Sequence, residues 1–297
     1  MIQSFSIIIP TLKRTSFLLN TLKDLVQQDY KPGFEILVID QSSKRDEIIE
    51  NFVKQYDYIK YHFITHFRGL PEARNYGASK AKNPCLLFLD DDIKCDKKLL
   101  SEHAKTLEQK GVGVCAGGIE EKHQDNTGCK TGYFQKWSAS PIAGFHLKTH
   151  SRSVDHAKGC NFSVKREVYL EVNGVDELLT KGAALYEETD FCLRVKKAGY
   201  NIFFNYDAHV YHLAAEIGGC RVPKIEKYIF SLARNRSLII QRHLPWYYRI
   251  TAHFYLLKLI AAYYKEYRHP KIWKNYKAGK KEGTTMGKFQ VRNESTN

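Results

Sequence analysis

The run Cys85-Leu86-Leu87-Phe88-Leu89-Asp90-Asp91-Asp92 places five apolar residues directly before three aspartates. Five apolar residues in succession are typical of a strand buried on both faces of a parallel sheet. Neighbouring carboxylates at the end of that strand repel one another, and a cation bound between them relieves the repulsion. Hard oxygen ligands favour Mg²⁺ or Mn²⁺, metals that serve phosphate-containing substrates. For an isolated triplet a solvated acidic turn is an equal alternative, so the surrounding sequence has to discriminate.

Strand and helix patterns alternate around this run, which predicts an α/β fold with a Rossmann-like, mostly parallel central sheet flanked by helices. The predicted strands are 5–9, 35–39, 59–63, 85–89, 112–116, 160–164 and 201–205. The predicted helices are 16–28, 45–53, 72–80, 97–109, 166–172, 187–197, 223–241 and 246–267. Residues 122–158 have no clear period and are expected to form a long loop. The polar tail after Gly279 is expected to be mobile.

Charge divides the chain into two parts. Residues 221–297 hold 17 Lys/Arg and 4 Asp/Glu, whereas residues 1–220 hold 29 and 28, so the net charge of +14 belongs almost entirely to the C-terminal quarter. We therefore expect an α/β domain over 1–220 and a basic, aromatic-rich helical extension with a polar tail over 221–297. Such a basic region favours an acidic partner, namely nucleic acid, an anionic membrane or a phosphorylated substrate, although it can also merely aid solubility.

The cysteines and the apolar segments indicate a cytoplasmic location. The seven cysteines are an odd number and form no CxxC motif, which fits a reducing compartment. The N-terminus enters a strand at once and has no signal-peptide core. The most apolar late segment, 246–264, contains Arg249, His253 and Lys258, which would be costly in a membrane-spanning helix. We expect no transmembrane segment.

Three predicted strands end in residues that suit a nucleotide. Pro10 and Thr11 follow the first strand, Asp40 follows the second, and Asp90–Asp92 follow the fourth. Ligands of open parallel sheets bind outside the carboxyl ends of the strands, so these residues should meet at one edge. An aspartate can accept from a base or ribose, and its neighbours can hold a metal. Together they predict a pocket for a nucleotide diphosphate.

Six motifs in order along residues 4–215 give the chain its family resemblance. It resembles a family 2 glycosyltransferase with the GT-A fold. The matching segments are Ser6–Thr11 (SIIIPT), Glu35–Asp40 (EILVID), Gly69–Gly77 (GLPEARNYG), Leu86–Asp92 (LLFLDDD), Gly159–Ser163 (GCNFS) and Glu187–Arg194 (EETDFCLR). The set is specific, whereas any single segment is not.

The resemblance implies a donor site and a metal site. Residues implied to bind the nucleotide sugar, directly or by supporting its pocket, are Pro10, Thr11, Asp40, Arg68, Arg74, Asp90, Asp91 and Asn161. The implied ligands of Mn²⁺ or Mg²⁺ are Asp92 and Asp90 of the DxD motif, together with His212. The nucleotide end departs from the family pattern at Gln41 and at His66–Arg68, so a UDP-sugar is favoured but the nucleotide stays open.

The resemblance also implies that the segment Glu187–Asp190 carries the catalytic base of an inverting transfer. Glycosyl transfer needs a carboxylate that takes the proton of the acceptor hydroxyl. Glu188 stands where relatives often have Asp, so the base is either Glu188 or Asp190, and Glu187 could contact the acceptor or cap the helix. Acids in a first helical turn also stabilise the helix dipole, which is the purely structural alternative.

The C-terminal part mixes aromatic and basic residues, as membrane-interface segments do. Residues 221–281 are therefore expected to contact the inner face of the cell membrane or a lipid-linked acceptor, or else to pack on the catalytic domain or a second copy. The expected partners are a nucleotide-diphosphate sugar and a saccharide or lipid-linked acceptor, with a homo-oligomer left open.

Two other functions compete with sugar transfer in polysaccharide or glycoconjugate synthesis. A sugar nucleotidyltransferase would need a glycine-rich loop after the first strand, but residues 10–14 contain no glycine. A basic nucleic-acid-binding protein is permitted by charge and tyrosine content. The aspartate triplet opposes it, because without a metal it would repel phosphate, and we expect no nucleic-acid partner.

Overall fold

The computed structural model describes residues 4–121, 130–149, 152–180, 182–215 and 224–294, with side chains up to residue 287. The strands are β1 Phe5–Thr11, β2 Phe34–Asp40, β3 Ile59–Phe63, β4 Cys85–Leu89, β5 Ile93–Cys95, β6 Val112–Glu121, β7 Tyr133–Gln135, β8 Ser140–Ile142, β9 Arg152–Val154, β10 Asn161–Lys165 and β11 Asn201–His212. The helices are α1 Thr15–Leu25, α2 Glu47–Val53, α3 Leu70–Lys80, α4 Leu99–Leu107, α5 Arg166–Glu171, α6 Glu187–Lys197, α7 Ile225–His243, α8 Trp246–Tyr267 and α9 Lys271–Glu294. A short 3₁₀ helix, Glu177–Thr180, precedes α6.

The central sheet has the strand order β3-β2-β1-β4-β10-β6-β11-β5, with β9 added alongside β11. Strands β3, β2, β1 and β4 are mutually parallel, and β6 and β11 are also parallel. Strand β10 runs antiparallel to β4 and β6, and β5 and β9 run antiparallel to β11. The predicted α/β class with a mostly parallel sheet is therefore confirmed.

Strand register brings the predicted strand ends together. Along β1 and β2, Thr11 lies opposite Asp40. The β1–β4 pairing matches Phe5 with Cys85, and the same offset places Thr11 beside Asp91, to which its hydroxyl donates a hydrogen bond of 2.6 Å. All residues of β1 and β4 are buried, as the unbroken apolar sequence of β4 predicted; in β1 the polar Ser6 and Thr11 are buried as well. The strand ends that face the cavity thus belong to fully buried, central strands of the sheet.

The second half of the sheet differs from the sequence prediction. The predicted strand 201–205 is the start of β11, which continues to His212 after an irregularity in its pairing with β6 between Asn205 and His209. Part of the predicted loop 122–158 is regular, since β7 and β8 form a small antiparallel sheet and β9 joins β11. These short strands are stabilised by tertiary pairing, which local sequence patterns do not reveal.

The C-terminal helices pack against one another and against the α/β part. Helix α7 buries polar as well as apolar residues, and its Asn235 amide donates to the carbonyls of Leu179 and Leu185. The tail after Gly279, expected to be mobile, instead continues α9 as far as Glu294, and its part up to Gly287 packs along α7. Within the described part of the chain, no helix combines the length and the apolar content that a membrane span requires.

Candidate active site

A cavity of about 510 Å³ opens at the carboxyl ends of β1 and β4. Its wall is formed by Pro10, Thr11, Leu12, Arg14, Gln41, Arg68, Gly69, Leu70, Asp90, Asp91, Asp92, Thr180, Gly182, Ala184, His212 and Ala214. The three aspartates, the first strand end and the end of β11 therefore share one space. The volume lies within the range of pockets that hold small molecules and cofactors.

Asp91 anchors the acidic turn from inside the protein. It is buried, and its carboxylate accepts from the Thr11 hydroxyl at 2.6 Å and from Arg14 Nη1 at 2.9 Å. Burial raises the pKa of Asp91 to about 6, although the charge of Arg14 and the hydrogen bond from Thr11 lower it. Asp91 thus holds the turn in place while its neighbours Asp90 and Asp92 remain available for a ligand.

Asp90, Asp92 and His212 form a cluster whose ligand atoms lie within 4.8 Å of one another. His212 Nε2 is 3.3 Å from Asp92 Oδ1 and 3.8 Å from Asp90 Oδ2. The other ring nitrogen, Nδ1, lies 2.9 Å from Glu121 Oε1, which orients the ring towards the aspartates. Burial lowers the pKa of His212, but the neighbouring carboxylates of Asp92 and Glu121 outweigh this effect and raise the pKa to about 9.

The donor set of this cluster fits a divalent cation. Asp92 Oδ2 accepts from the Ala215 backbone at 2.7 Å, whereas the buried Oδ1 faces His212 Nε2 at 3.3 Å without a well-aligned hydrogen bond from any described residue. A buried carboxylate oxygen without a good hydrogen bond is costly, and a metal ion would satisfy it. Two carboxylates and one imidazole are ligands that Mn²⁺ accepts readily, and Mg²⁺ suits the carboxylates.

Arg74 is fully buried behind the cluster. It forms an ion pair with Glu187, donates to the Gly159 carbonyl at 2.8 Å, and lies 3.8 Å from Asp90. Burial lowers the pKa of Arg74, but the charges of Glu187 and Asp90 raise it further, so the guanidinium stays protonated. Arg74 therefore joins the start of α6 to the acidic turn without lining the cavity itself.

The three acids at the start of α6 have different surroundings. Glu187 is buried against Arg74. Asp190 is buried among Arg194, Arg242 and His243, at 2.6–2.8 Å from each. Glu188 is half-buried, and within the described ranges no hydrogen bond or ion pair engages its carboxylate.

Several non-glycine residues around the cavity have a left-handed backbone. Ala184 and Tyr186 have φ of 45° and 70° just before α6, Ala214 has φ of 51° just after β11, and Lys13 has φ of 58° after β1. This conformation is strained for residues with a side chain and is found most often at functional sites. The strained positions lie where the chain must turn sharply to bring three strand and helix ends to one cavity.

Some of the predicted donor-site residues line the cavity and others are buried away from it. Pro10, Thr11 and Arg68 lie on the cavity wall. Asp40 lies just behind it, accepting from the Tyr61 hydroxyl and the Ser42 backbone. Asn161 is fully buried: its amide donates to the carbonyls of Gly118 and Ala208, and its oxygen bonds His103. Asn161 thus lies in the core and does not form part of the cavity wall.

Three further residues of the site were not predicted. Arg14 contacts Asp91 and lies 3.3 Å from Asp92; its only signal was a basic residue shortly after a strand end. Glu121 orients His212 from the end of β6, a pairing that requires the fold to be known. Gln41 holds the backbone of Gly69 with both ends of its amide. In the sequence, Gln41 stands out only as a departure from the family pattern.

Comparison with known proteins gives a consistent result. Residues 6–172 match the profile of the family described as glycosyl transferase family 2. Among curated relatives, a glucosyl-dolichyl phosphate glucuronosyltransferase of Haloferax volcanii is 24% identical over 200 residues, covering 65% of this chain and 63% of the relative. A GalNAc(5)-diNAcBac-PP-undecaprenol beta-1,3-glucosyltransferase of Campylobacter jejuni is 35% identical over 108 residues, covering 35% of this chain and 33% of the relative. The chain therefore matches less than two thirds of the length of either relative.

Solved structures share the fold. GalNAc-T7, crystallised with UDP, GalNAc and Mn²⁺, aligns with a TM-score of 0.60 at 18% identity, over 78% of this chain and 49% of that one. The mannosyltransferase PcManGT of Pyrobaculum calidifontis, in complex with GDP-Man and Mn²⁺, aligns with a TM-score of 0.57 at 13% identity, over 98% and 88%. These likenesses confirm the GT-A fold and the helical C-terminal part that the sequence predicted.

Proposed function

The chain belongs to glycosyl transferase family 2, and from this membership we propose that it is an inverting, metal-dependent glycosyltransferase acting on a nucleotide-diphosphate sugar. The observation that carries the proposal is the cluster of Asp90, Asp92 and His212 on the wall of a cavity of suitable size. The buried Asp92 Oδ1, which faces His212 without a well-aligned hydrogen bond, supports a cation there. Family membership favours this function over a nucleotidyltransferase or a nucleic-acid-binding protein.

For the donor we propose a UDP-sugar. Pro10, Thr11 and Arg68 would contact the nucleotide from the cavity wall, and Asp40 would support it through Gln41. Asp90, Asp92 and His212 would hold Mn²⁺ or Mg²⁺, the cation that neutralises the charge of the leaving diphosphate when it is bound. Arg14 and Arg74 would keep the aspartates in position from opposite sides.

For the catalytic base we propose Glu188. The acceptor oxygen attacks the anomeric carbon, the bond from that carbon to the diphosphate oxygen breaks, and the acceptor proton passes to the Glu188 carboxylate. Attack from the face opposite the diphosphate inverts the anomeric centre. Asp190 is a poor base because it already contacts two guanidinium groups and the His243 ring, and Glu187 is paired with Arg74.

For the acceptor we propose a saccharide or a lipid-linked saccharide used in the synthesis of a surface polysaccharide or other glycoconjugate. The names of both curated relatives contain a lipid carrier, dolichyl phosphate or undecaprenol. A lipid carrier requires the enzyme to work at a membrane, so we also propose a cytoplasmic protein with peripheral contact through residues 221–281.

The donor site can be tested by thermal unfolding in the presence of nucleoside diphosphates and their sugars, with and without Mn²⁺. A ligand that binds only the folded state at a hundred times its Kd stabilises it by about 2.7 kcal/mol. We expect one nucleotide family to raise the melting temperature in a Mn²⁺-dependent way, and Asp92→Asn to abolish the effect. The control is Asp57→Asn, the same change on an exposed turn. A metal-independent rise, or one that persists in Asp92→Asn, would contradict the proposed site.

A further inference from the structure

Helix α8 presents a row of apolar side chains to solvent. Trp246, Ile250 and Phe254 are exposed by 72%, 67% and 57%, and Leu257 continues the row at 40%. Their spacings of four, four and three residues place them on one face of the helix, over a length of about 17 Å. Tyr247, exposed by 53%, widens the row. A surface helix ordinarily turns polar side chains outward, so an apolar row on the outer face is unusual.

The orientation of α8 is fixed by its inner face. Ala252, Leu256 and Ile260 recur at every fourth position and are completely buried. Leu256 and Ile260 pack in one apolar cluster with residues of α7 and α9, and Ala252 packs in another. The outward row therefore cannot be hidden by rotation of the helix. Contiguous exposed apolar surface of this kind marks an interaction site.

A second element extends the same surface. Trp137, in the turn between β7 and β8, is 39% exposed, and its ring lies 4.3 Å from that of Tyr255 on α8. Lys258 bridges the two parts, with its ammonium 5.8 Å from the ring of Phe254 and 5.4 Å from that of Tyr255. We call the surface formed by Trp137, Trp246, Tyr247, Ile250, Phe254 and Leu257 the docking face.

The positive charge around the docking face favours an anionic partner. Residues 246–281 contain nine Lys/Arg and one acid, Glu266. Within α8, Lys258 and Lys265 flank the apolar row on the same side of the helix. Aromatic rings beside lysines suit the interface of a bilayer, where rings enter the headgroup region and ammonium groups meet anionic lipid. A second copy of the chain would bring the same positive charge against it, which disfavours self-association.

We propose that the docking face binds the surface of an anionic lipid bilayer, with α8 lying in the plane of the interface and Trp137 inserted beside it. The proposal sharpens the expected membrane contact from residues 221–281 to six side chains on two elements. It does not depend on the sugar-transfer reaction, because lipid binding needs neither donor nor acceptor.

Phe134 and Ala139, which flank the Trp137 turn, pack in one apolar cluster with Ala252 of α8 and Tyr186. Through this cluster, the docking face is in packing contact with Tyr186, the residue that precedes α6.

The first test measures binding of the full chain to vesicles of phosphatidylcholine, with and without phosphatidylglycerol. Two of the three tryptophans, Trp137 and Trp246, lie on the docking face. The third, Trp273 on α9, is partly buried against Tyr264 of α8. Brominated lipid should therefore quench part of the tryptophan emission. We expect Trp246→Phe to remove much of the quenchable signal and Trp273→Phe to leave it intact.

Matched variants test the apolar and the charged parts separately. Ile250→Ser combined with Phe254→Ser should weaken vesicle binding at least about tenfold, since each buried apolar side chain contributes strongly to partitioning. Ile48→Ser on α2 and Leu170→Ser on α5 make the same kind of change at side chains exposed by 58% and 52%, and should have no effect. Lys258→Gln and Lys265→Gln should each weaken binding to anionic vesicles by about fivefold and leave binding to neutral vesicles unchanged.

The proposal is overturned if the wild-type chain does not bind anionic vesicles, or if the Ile250/Phe254 double variant binds them as well as the two controls do. It is also overturned if light scattering shows a dimer that the double variant dissociates, because the face would then belong to a second copy. Circular dichroism establishes that each variant is folded. Nucleotide-dependent thermal shifts, measured on the same samples, separate failure of docking from failure of the proposed donor site.

Discussion

At the scale of single residues, the start of α6 shows how three similar acids come to have different roles. Successive helical positions are about 100° apart, so Glu187, Glu188 and Asp190 point in different directions. Glu187 meets Arg74, and Asp190 meets cations of α6 and α7. Glu188 is left half-exposed with its carboxylate unengaged by any described residue. Only Glu188 can take a proton without first giving up an ion pair.

Replacing Glu188 by glutamine tests this distinction. The amide keeps the size of the side chain but cannot accept the acceptor proton, so kcat for sugar transfer should fall by about 10²- to 10⁴-fold. Binding of the donor should stay within about twofold, measured by titration with the nucleotide. Glu167→Gln, which changes an exposed acid in the first turn of α5, is the matched control. Full activity of Glu188→Gln, or equal loss of donor binding and kcat, would exclude the proposed role.

For single residues, the sequence predicts the positions of those that follow directly from local strand patterns. Asp90–Asp92 and Thr11 end buried strands, and the shared edge of parallel strands brings them together. It could not predict that the Asn161 amide is fully occupied by carbonyls of Gly118 and Ala208, because those contacts come from strands distant in the chain. The contact of Glu121 with His212 could not be predicted either, because these residues are also distant in the chain.

At the scale of elements, the contact between α7 and α9 depends on glycine. Gly279, Gly283 and Gly287 recur at every fourth position and form one stripe on α9. A Cβ at Gly279 would meet the Phe230 carbonyl oxygen, and one at Gly283 would meet the Arg234 carbonyl oxygen. The stripe therefore lets the two helix backbones come close together. The four-residue spacing was visible in the sequence, but the polar composition around it predicted a mobile tail instead.

Gly283→Ala separates this packing role from helix propensity. In an exposed helix the change should stabilise by about 1 kcal/mol, because alanine is the better helix former. Here the added methyl group collides with backbone, so we expect the free energy of unfolding to fall by about 1–3 kcal/mol. Denaturant titration measures the change, with Thr285→Ala at an exposed position of α9 as the control. A higher stability of Gly283→Ala than of wild type would show that the helices are not closely packed.

At the scale of the whole molecule, several contacts cross the division that the charge distribution places at residue 220. Helix α7 belongs to the basic part, yet Arg242 binds Asp190 of α6 and Asp176 of the preceding loop, each at 2.6 Å. His243 binds the same Asp190 at 2.8 Å. Together with the bonds from Asn235 to the carbonyls of Leu179 and Leu185, these contacts hold the loop that precedes α6. We therefore expect residues 1–220 and the C-terminal helices to unfold together.

Asp190→Asn tests this coupling between the two parts. It leaves the buried guanidinium of Arg242 and the His243 ring without their shared carboxylate, and removal of one partner of a buried ion pair costs about 3–5 kcal/mol. We expect a lower melting temperature but still a single transition in calorimetry. Glu50→Gln, which breaks an exposed pair with Arg45, should cost less than about 1 kcal/mol. Two resolved transitions in the wild type would show instead that the parts are independent domains.

The pKa of Asp190 predicts how the stability difference between wild type and Asp190→Asn depends on pH. Burial by itself would raise the pKa of Asp190, but the hydrogen bond from His243 and the charges of Arg194 and Arg242 hold it well below the ordinary value. As pH falls, the unfolded chain therefore takes up this proton first, near pH 3.9, and the stabilisation by Asp190 is lost between there and its lower folded pKa. The stability difference between wild type and Asp190→Asn should be constant at neutral pH and shrink below about pH 4. A difference that persists unchanged into strong acid would mean that the asparagine acts through packing and not through charge.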